Sequence, residues 1–363
     1  MSEPSPRIGY STHEDDPSGP GDRRRFCGYA ARRGLAWEFA RPGVRYDLVV
    51  ANPGGDLSMW SRLPEGTSFV LDMVDSYLAV PGWDPRAAFR GLFKYAFGNT
   101  RRLHVDYRRL LEASCRRADA VVCSTEEQRE SILPYCPNVH VILDLQSEVA
   151  RRVKPDYTRG DVFRLVWEGL GQNVRTFRAI AGPLRALAAR RRLELHLVTD
   201  LEYPRVSTRY WRRPTRELVR DLLGTVPVQL HPWDADRVSA VATQCDLAVI
   251  PIPLDEPFLR GKPENKLVMF WRLGVPVVTS ATPAYERAMR EAGLALTCRT
   301  PEEWERTLER LMDDEPARRE AGERGRAHAS EAYGESGLLA KWDGVMGSVL
   351  RADAVPAPPP ALI

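Results

Sequence analysis

The sequence predicts an α/β protein made of two domains of similar size. Two observations carry this. Short apolar, β-branched runs alternate with helical stretches along most of the chain, which is the pattern of parallel strands joined by crossover helices. The alternation stops at a polar segment, 151–160, holding Pro155 and Gly160, and then restarts. Residues 1–150 and 161–333 therefore read as separate domains joined by a linker. At 363 residues, each half is long enough to bury its own core.

In the first domain, Arg7–Ser11 is a short strand, followed by a Gly/Pro/Asp-rich loop over 12–22 and a helical stretch led by Arg23, Arg24 and Arg25. Tyr46–Ala51 is a strand that stops at the turn Asn52, Pro53, Gly54, Gly55. Ser68–Met73 is a strand, 86–118 an arginine-rich helix, Ala120–Ser124 a strand, Thr125–Leu133 a helix and Val139–Leu143 a strand. The second domain starts with strand Phe163–Trp167, helix Val174–Arg191, strand Leu193–Thr199, helix Thr215–Leu223 and strand Val226–Leu230. Further helices cover Glu302–Asp313 and Pro316–His328. A last helix lies within 334–350, where Leu338, Leu339, Trp342, Val345 and Met346 recur at three-and-four spacing and so need a partner surface. Residues 351–363 form an Ala/Pro tail too poor in pattern to fold alone, and read as disordered.

Composition narrows the function. A net charge of +3 in 41.0 kDa offers no field for nucleic acid. Six scattered cysteines, with no Cys-x2-Cys pair and no His at metal spacing, fit a reducing cytoplasm and no structural metal. Met1–Arg7 is polar, unlike a signal peptide, and no apolar run approaches the ~18 residues that cross a bilayer. None of the six histidines pairs with a Ser or Cys nucleophile, which speaks against a hydrolase triad.

The most informative segment is 246–285. Asp246–Ile252 reads as a buried strand, and a loop with Asp255, Glu256, Arg260 and Lys262 follows. Pro263 opens a helix over Glu264–Leu273, Gly274 stops it, and Val275–Thr279 is the next strand. A helix N-terminus with lysines beside it is a ready anion site. The chain has five lysines against 47 arginines, and two of the five, Lys262 and Lys266, sit here. A compact point charge in an arginine-rich chain suits a phosphate.

With strand Asp246–Ile252, the stretch Lys262 to Lys266, the turn Gly274–Val278 and the run Ser280–Tyr285, this segment resembles the donor-binding half of GT-B glycosyltransferases, particularly the family 4-like group. The likeness covers about 160–345 closely and 7–148 more loosely. It implies two Rossmann-like domains facing across a cleft, with a C-terminal helix crossing back to the first domain. It also implies transfer of a sugar from a nucleotide-diphosphate donor, a co-substrate rather than a cofactor, with retention at the anomeric carbon and protein cations in place of a metal. One departure stands out. Where the family carries the second Glu of a Glu-x7-Glu pair, this chain has Met269, while Glu256 and Glu264 keep that spacing five residues too early.

The resemblance then nominates residues. Lys266 and Lys262 would balance the diphosphate, with Glu264 and Asn265 at the same helix start. Gly169 ends the first strand of the donor domain and lets a ligand approach, with Asn173 nearby; a plain tight turn explains Gly169 equally well. Thr199 and Asp200 end a parallel strand and so face the ligand crevice. Trp233 stands where the nucleotide base is held, or is a core residue. Glu256 either holds ribose hydroxyls or forms an ion pair with Arg260 or Lys262. On the acceptor side, the loop with Gly21, Asp22 and Arg23 would approach phosphate or acceptor, and Asp75 replaces a family His that contacts the transferred sugar. Lys266, Glu256 and Asp75 are the catalytic candidates. Residues 86–109 mix arginines with Phe89, Leu92, Phe93 and Phe97; this is an ordinary covering helix or a peripheral contact with the inner face of a membrane. The acceptor is accordingly open between a lipid-linked molecule and a small metabolite. A sugar-nucleotide epimerase or hydrolase, or a non-catalytic partner subunit, are the alternatives on the same fold.

Overall fold

The computed structural model describes residues 5–64, 66–79, 101–104, 106–204 and 212–350. They divide into two compact units, one made of the chain up to Leu145 together with Glu335 onward, the other of Gln146–Gly334.

The first unit holds a sheet of six parallel strands in the order β2-β1-β3-β4-β5-β6. They are β1 Ile8–Ser11, β2 Glu38–Phe39, β3 Leu48–Ala51, β4 Ser68–Asp72, β5 Ala120–Cys123 and β6 Val139–Val141. The interior strands β3 and β5 are buried at every residue, as unbroken apolar runs require, while the edges β2 and β6 are partly exposed. Two-residue β2 has no periodic signal and is absent from the sequence expectation. The helix expected over 86–118 is Tyr107–Arg117, started by Asp106, whose carboxylate accepts from Arg109 N at 3.0 Å. Residues 101–104 are not helical, and 86–100, with the basic and aromatic stretch, lie outside the described residues.

The C-terminal helix, Glu335–Val349, belongs to this unit. Trp342 is fully buried, stacks on Tyr29 at 5.6 Å and meets the edge of Phe26 at 6.3 Å. Asp343 beside it accepts from Tyr29 Oη at 3.0 Å and from Arg33 at 2.9 and 2.6 Å. Trp342 thus finds its surface on helix Phe26–Arg33, and the C-terminal helix also packs on strands β4 and β5.

Arg25, expected with Arg23 and Arg24 to lead a helical stretch, is fully buried. Its Nε and Nη2 donate to Asp72 Oδ1 at 2.7 and 2.6 Å, and Nη1 donates to the Ile142 carbonyl at 2.7 Å and lies 3.4 Å from Asp144 Oδ1. One guanidinium therefore joins the ends of β4 and β6.

The second unit holds another six-stranded parallel sheet, in the order β11-β8-β7-β12-β13-β14, plus a small antiparallel pair, β9 with β10. The strands are β7 Phe163–Glu168, β8 Leu193–Thr199, β9 Glu202–Pro204, β10 Arg212–Pro214, β11 Val228–Pro232, β12 Leu247–Ile250, β13 Val277–Ser280 and β14 Thr297–Cys298. The helix expected over 174–191 is split into a 3-10 run, Gly171–Ala179, and an α-helix, Ala181–Arg190. Pro183 fits only the first turn of a helix, where no N–H is owed to the ladder. Helix Ala235–Gln244, with its Ser and Thr content, and the four-residue turn Pro257–Arg260 were not foreseen. Residues 151–160 carry no helix or strand, yet they are pinned to this unit. Lys154 N donates to the Leu273 carbonyl at 2.7 Å, its Nζ to the Cys245 carbonyl at 2.8 Å, and Tyr157 Oη to the Gly274 carbonyl at 2.8 Å.

On β8 and β11, His196 Nδ1 and His231 Nε2 face each other at 3.0 Å and share one hydrogen, while His196 Nε2 meets Glu194 at 3.1 Å. Burial pushes both imidazoles below the usual range. The unfolded chain then takes up protons near pH ~6.5 before the folded one does, so stability falls as pH drops through that value. His231→Gln keeps a donor toward His196 without titrating. The fall in Tm from pH 7 to 5 should be smaller in this variant; an identical fall would remove the pair from the acid response. For the buried cation, Arg25→Leu leaves Asp72 and Asp144 buried without it and should cost about 3–5 kcal/mol in urea unfolding. An unchanged midpoint would show that the carboxylates find other partners.

Candidate functional site

Strand order locates the crevice in each unit. In the second unit the chain runs from β7 outward to β8 and β11, then returns to the other side of β7 to lay down β12. The carboxyl ends of β7 and β12 therefore flank the point where the order reverses, the place where open α/β sheets bind ligands. In the first unit the same reversal falls between β1 and β3.

At the β7–β12 reversal, helix Asn265–Arg272 presents Lys266 in its first turn. Lys266 Nζ donates to the Glu168 carbonyl, lies 3.7 Å from the Glu168 carboxylate and sits 4.6 Å over the Trp167 ring. Glu168, buried at the end of β7, accepts from Trp233 Nε1 at 2.8 Å. Gly169 makes this approach possible, since a Cβ there would meet Lys266 Nζ and come within 2.7 Å of the Trp167 indole. Gly171 N donates to Asp200 Oδ2 at 3.3 Å, tying the β7 loop to the end of β8. Thr199 is fully buried, its carbonyl accepts from Trp233 N at 3.1 Å, and its Oγ1 has no hydrogen-bond partner among the described residues. Asn173 lies in the 3-10 run, half-buried, with its N–H on the Leu170 carbonyl. Gly169, Asn173, Thr199, Asp200, Trp233, Asn265 and Lys266 thus gather on the carboxyl-end side of one sheet. Glu168 joins them and was missed. The strand-end rule that singles out Thr199 and Asp200 applies equally to it.

The two displaced acids have other partners. Glu256 forms an ion pair with Arg178, which also lies 3.7 Å from Asp255, rather than with Arg260 or Lys262. Glu264 is the N-cap of helix Asn265–Arg272, so Pro263 precedes the cap instead of standing at N1. Its buried carboxylate lies 3.5 Å from Arg287 and 3.5 Å from Tyr333 Oη. Met269 is buried too. Lys262 Nζ sits 5.2 Å over the Phe258 ring. Asp234 and Asp236 have Asp-x-Asp spacing, but Asp234 caps helix Ala235–Gln244 and Asp236 pairs with Arg151 at 2.5 Å.

At the β1–β3 reversal, Asp22 is buried, and its Oδ1 accepts from Tyr10 Oη, from Thr12 Oγ1 at 2.7 Å and from Asn52 Nδ2 at 2.7 Å. Burial beside Asp22 pushes the Tyr10 hydroxyl far above its usual range, so it remains a donor. This carboxylate makes the expected phosphate loop a poor anion site. Its arginines point elsewhere: Arg23 donates to the Ser18 carbonyl, and Arg25 is the buried partner of Asp72. Gly21 packs toward Val74, and Asp75 is half-buried, its carbonyl accepting from Tyr77 N at 2.8 Å.

Among the described residues, no three His, Cys, Asp or Glu side chains are placed to hold a metal ion, and no helix is long and apolar enough to cross a membrane. All six cysteines are free thiols.

No protein-family model matches the chain, and no curated protein matches it by sequence. Solved structures do. HepE from Anabaena, crystallised with UDP and glucose, has a TM-score of 0.63 at 13% identity, covering 94% of this chain and 100% of that one. Sucrose-phosphate synthase from Thermosynechococcus elongatus gives 0.59 at 14% identity, covering 88% and 75%. TarM gives 0.57 at 11% identity, covering 83% of this chain and 54% of TarM. At such identities the likeness shows the fold: two six-stranded parallel, Rossmann-like halves of GT-B type, as the resemblance implied.

The close approach at Gly169 is directly testable. Gly169→Ala should cost about 1–3 kcal/mol in chemical denaturation, because the methyl group must displace Lys266 or Trp167. A variant as stable as the parent would mean the loop can open at no cost.

Proposed function

We propose that this chain transfers a sugar from a nucleotide-diphosphate donor to an acceptor, with retention at the anomeric carbon and with protein cations carrying the charge of the departing diphosphate. The observation behind this is Lys266, set in the first turn of a helix at the strand-order reversal of the second unit, beside Glu168 and Trp233. The helix N-terminus and the ammonium both favour negative charge, which grows on the diphosphate as its bond to the sugar breaks. Lys266 would then exchange the Glu168 carbonyl for a phosphate oxygen, with Lys262 as a second cation and the N–H groups near Glu264 and Asn265 completing the cradle. Gly169 and Asn173 would border the phosphates, and Thr199, Asp200 and Trp233 the nucleoside.

The carboxylate for the ribose would be Glu168, because Glu256 and Glu264 are held by Arg178 and by Arg287 with Tyr333. Asp75 stays proposed for the acceptor side, in the first unit. A uridine donor is the first to try, since HepE was solved with UDP-glucose. Free thiols throughout support a reducing, cytoplasmic setting.

Calorimetry with UDP and turnover of UDP-glucose test the reading. Lys266→Ala should bind UDP at least tenfold more weakly and lose at least tenfold in turnover, with an unchanged circular dichroism spectrum. A parent chain that binds no uridine, guanosine or thymidine diphosphate would point instead to a non-catalytic subunit.

A further inference from the structure

We propose that Asp22 selects the acceptor: through its second carboxylate oxygen it receives a neutral hydroxyl of the molecule that takes the sugar, and it turns away acceptors that present an anion there. The proposal rests on the transferase reading above and adds the chemical class of its second substrate.

Three side chains converge on this carboxylate, and with Asp22 they come from three parts of the first unit. Tyr10 comes from β1, Thr12 follows it, Asn52 follows β3, and Asp22 lies in the turn Pro20–Arg23. Oδ1 takes all three donors, and Asn52 Nδ2 also lies 2.9 Å from Thr12 Oγ1 and 3.3 Å from Tyr10 Oη, so the donors brace one another. Oδ2 accepts no hydrogen bond among the described residues. It lies on the side of Gly19, where a Cβ would come within 2.7 Å of it. With only 7% of its surface exposed, Asp22 is fixed in one orientation with one oxygen spoken for and one open. Such a group is costly to bury unless a partner completes it.

The position matters as much as the chemistry. The open oxygen lies at the β1–β3 reversal, the first unit's counterpart of the place where Lys266 stands in the second. The two crevices differ in sign. One presents an ammonium and a helix N-terminus, the other a carboxylate. A diphosphate suits the first and is repelled by the second, which suits a hydrogen-bond donor. A hydroxyl fits this pattern, and a phosphate or carboxylate at the same point does not.

The test uses the full chain, UDP-glucose and two acceptor pairs, glycerol against glycerol 3-phosphate and glucose against glucose 6-phosphate. The parent should favour the neutral member of each pair at least tenfold in kcat/KM. Asp22→Asn keeps an oxygen for the three donors but turns the open acceptor into an N–H donor. It should lower kcat/KM on the neutral acceptors at least tenfold, mostly through KM, and narrow the preference against the phosphorylated ones, with the Kd for UDP within twofold of the parent. If Asp22→Asn does not fold, Thr12→Val removes one brace and should shift the same ratio two- to fivefold. The proposal is overturned if the variant serves neutral acceptors within threefold of the parent, if it loses both members equally, or if the parent prefers the phosphorylated ones. Loss of UDP binding by the parent would overturn the transferase reading itself, so the two failures are told apart.

Discussion

The guanidinium of Arg25 sets the frame on which the first unit's strand ends are hung. It spans from Asp72 at the end of β4 to the Ile142 carbonyl just after β6, with Asp144 alongside. Taking those charges out of water is expensive, and mutual attraction with good hydrogen bonds offsets it only when the geometry is fixed. That requirement runs back along the chain. Arg25 precedes helix Phe26–Arg33, and the turn before it must end where the guanidinium can enter the sheet edge. Asp22 sits in that turn. The carboxylate at the β1–β3 crevice is therefore held partly by a charge pair that has no contact with a ligand.

The second unit solves an analogous problem differently. Among the described residues, a glycine rather than a buried arginine shapes this crevice. Because Gly169 has no side chain, the Lys266 ammonium can lie over Trp167 and reach the Glu168 carbonyl, while Trp233 holds the carboxylate of the same residue. The cation thus lies at the strand ends, where an incoming anion would meet it beside the carbonyl and the carboxylate of Glu168.

Much of this was legible in the sequence, and the exceptions have physical reasons. Strands β3, β5 and β12 announce themselves because both faces are buried and the apolar run is unbroken. Helix Thr215–Leu223 was legible from its strong amphipathic period. The edge strand β2 was not, because two residues carry no period. Helix Ala235–Gln244 is rich in Ala, Ser and Thr, so only its Asp234 cap betrays it. At the site, Lys266 and Gly169 were legible from residue type and place, whereas Arg25 reads as a solvated cation in any one-dimensional view. Only the fold reveals that Asp72 and Asp144, 47 and 119 residues away, meet it. The partners of Glu256 and Glu264 were hidden for the same reason: Arg178, Arg287 and Tyr333 are distant in sequence.

The helix carrying Trp342 has a consequence for the order in which the molecule is made. The second unit is one uninterrupted stretch, Gln146–Gly334, while the first needs both the opening of the chain and Glu335 onward. On a ribosome the second unit can emerge whole and close its sheet while the first still lacks a wall. Until the final turns leave the exit tunnel, Phe26 and Tyr29 have no indole to cover them, and Arg33 has no Asp343. The portion synthesised first is thus the last to be completed, which leaves an apolar patch open for chaperones through most of translation.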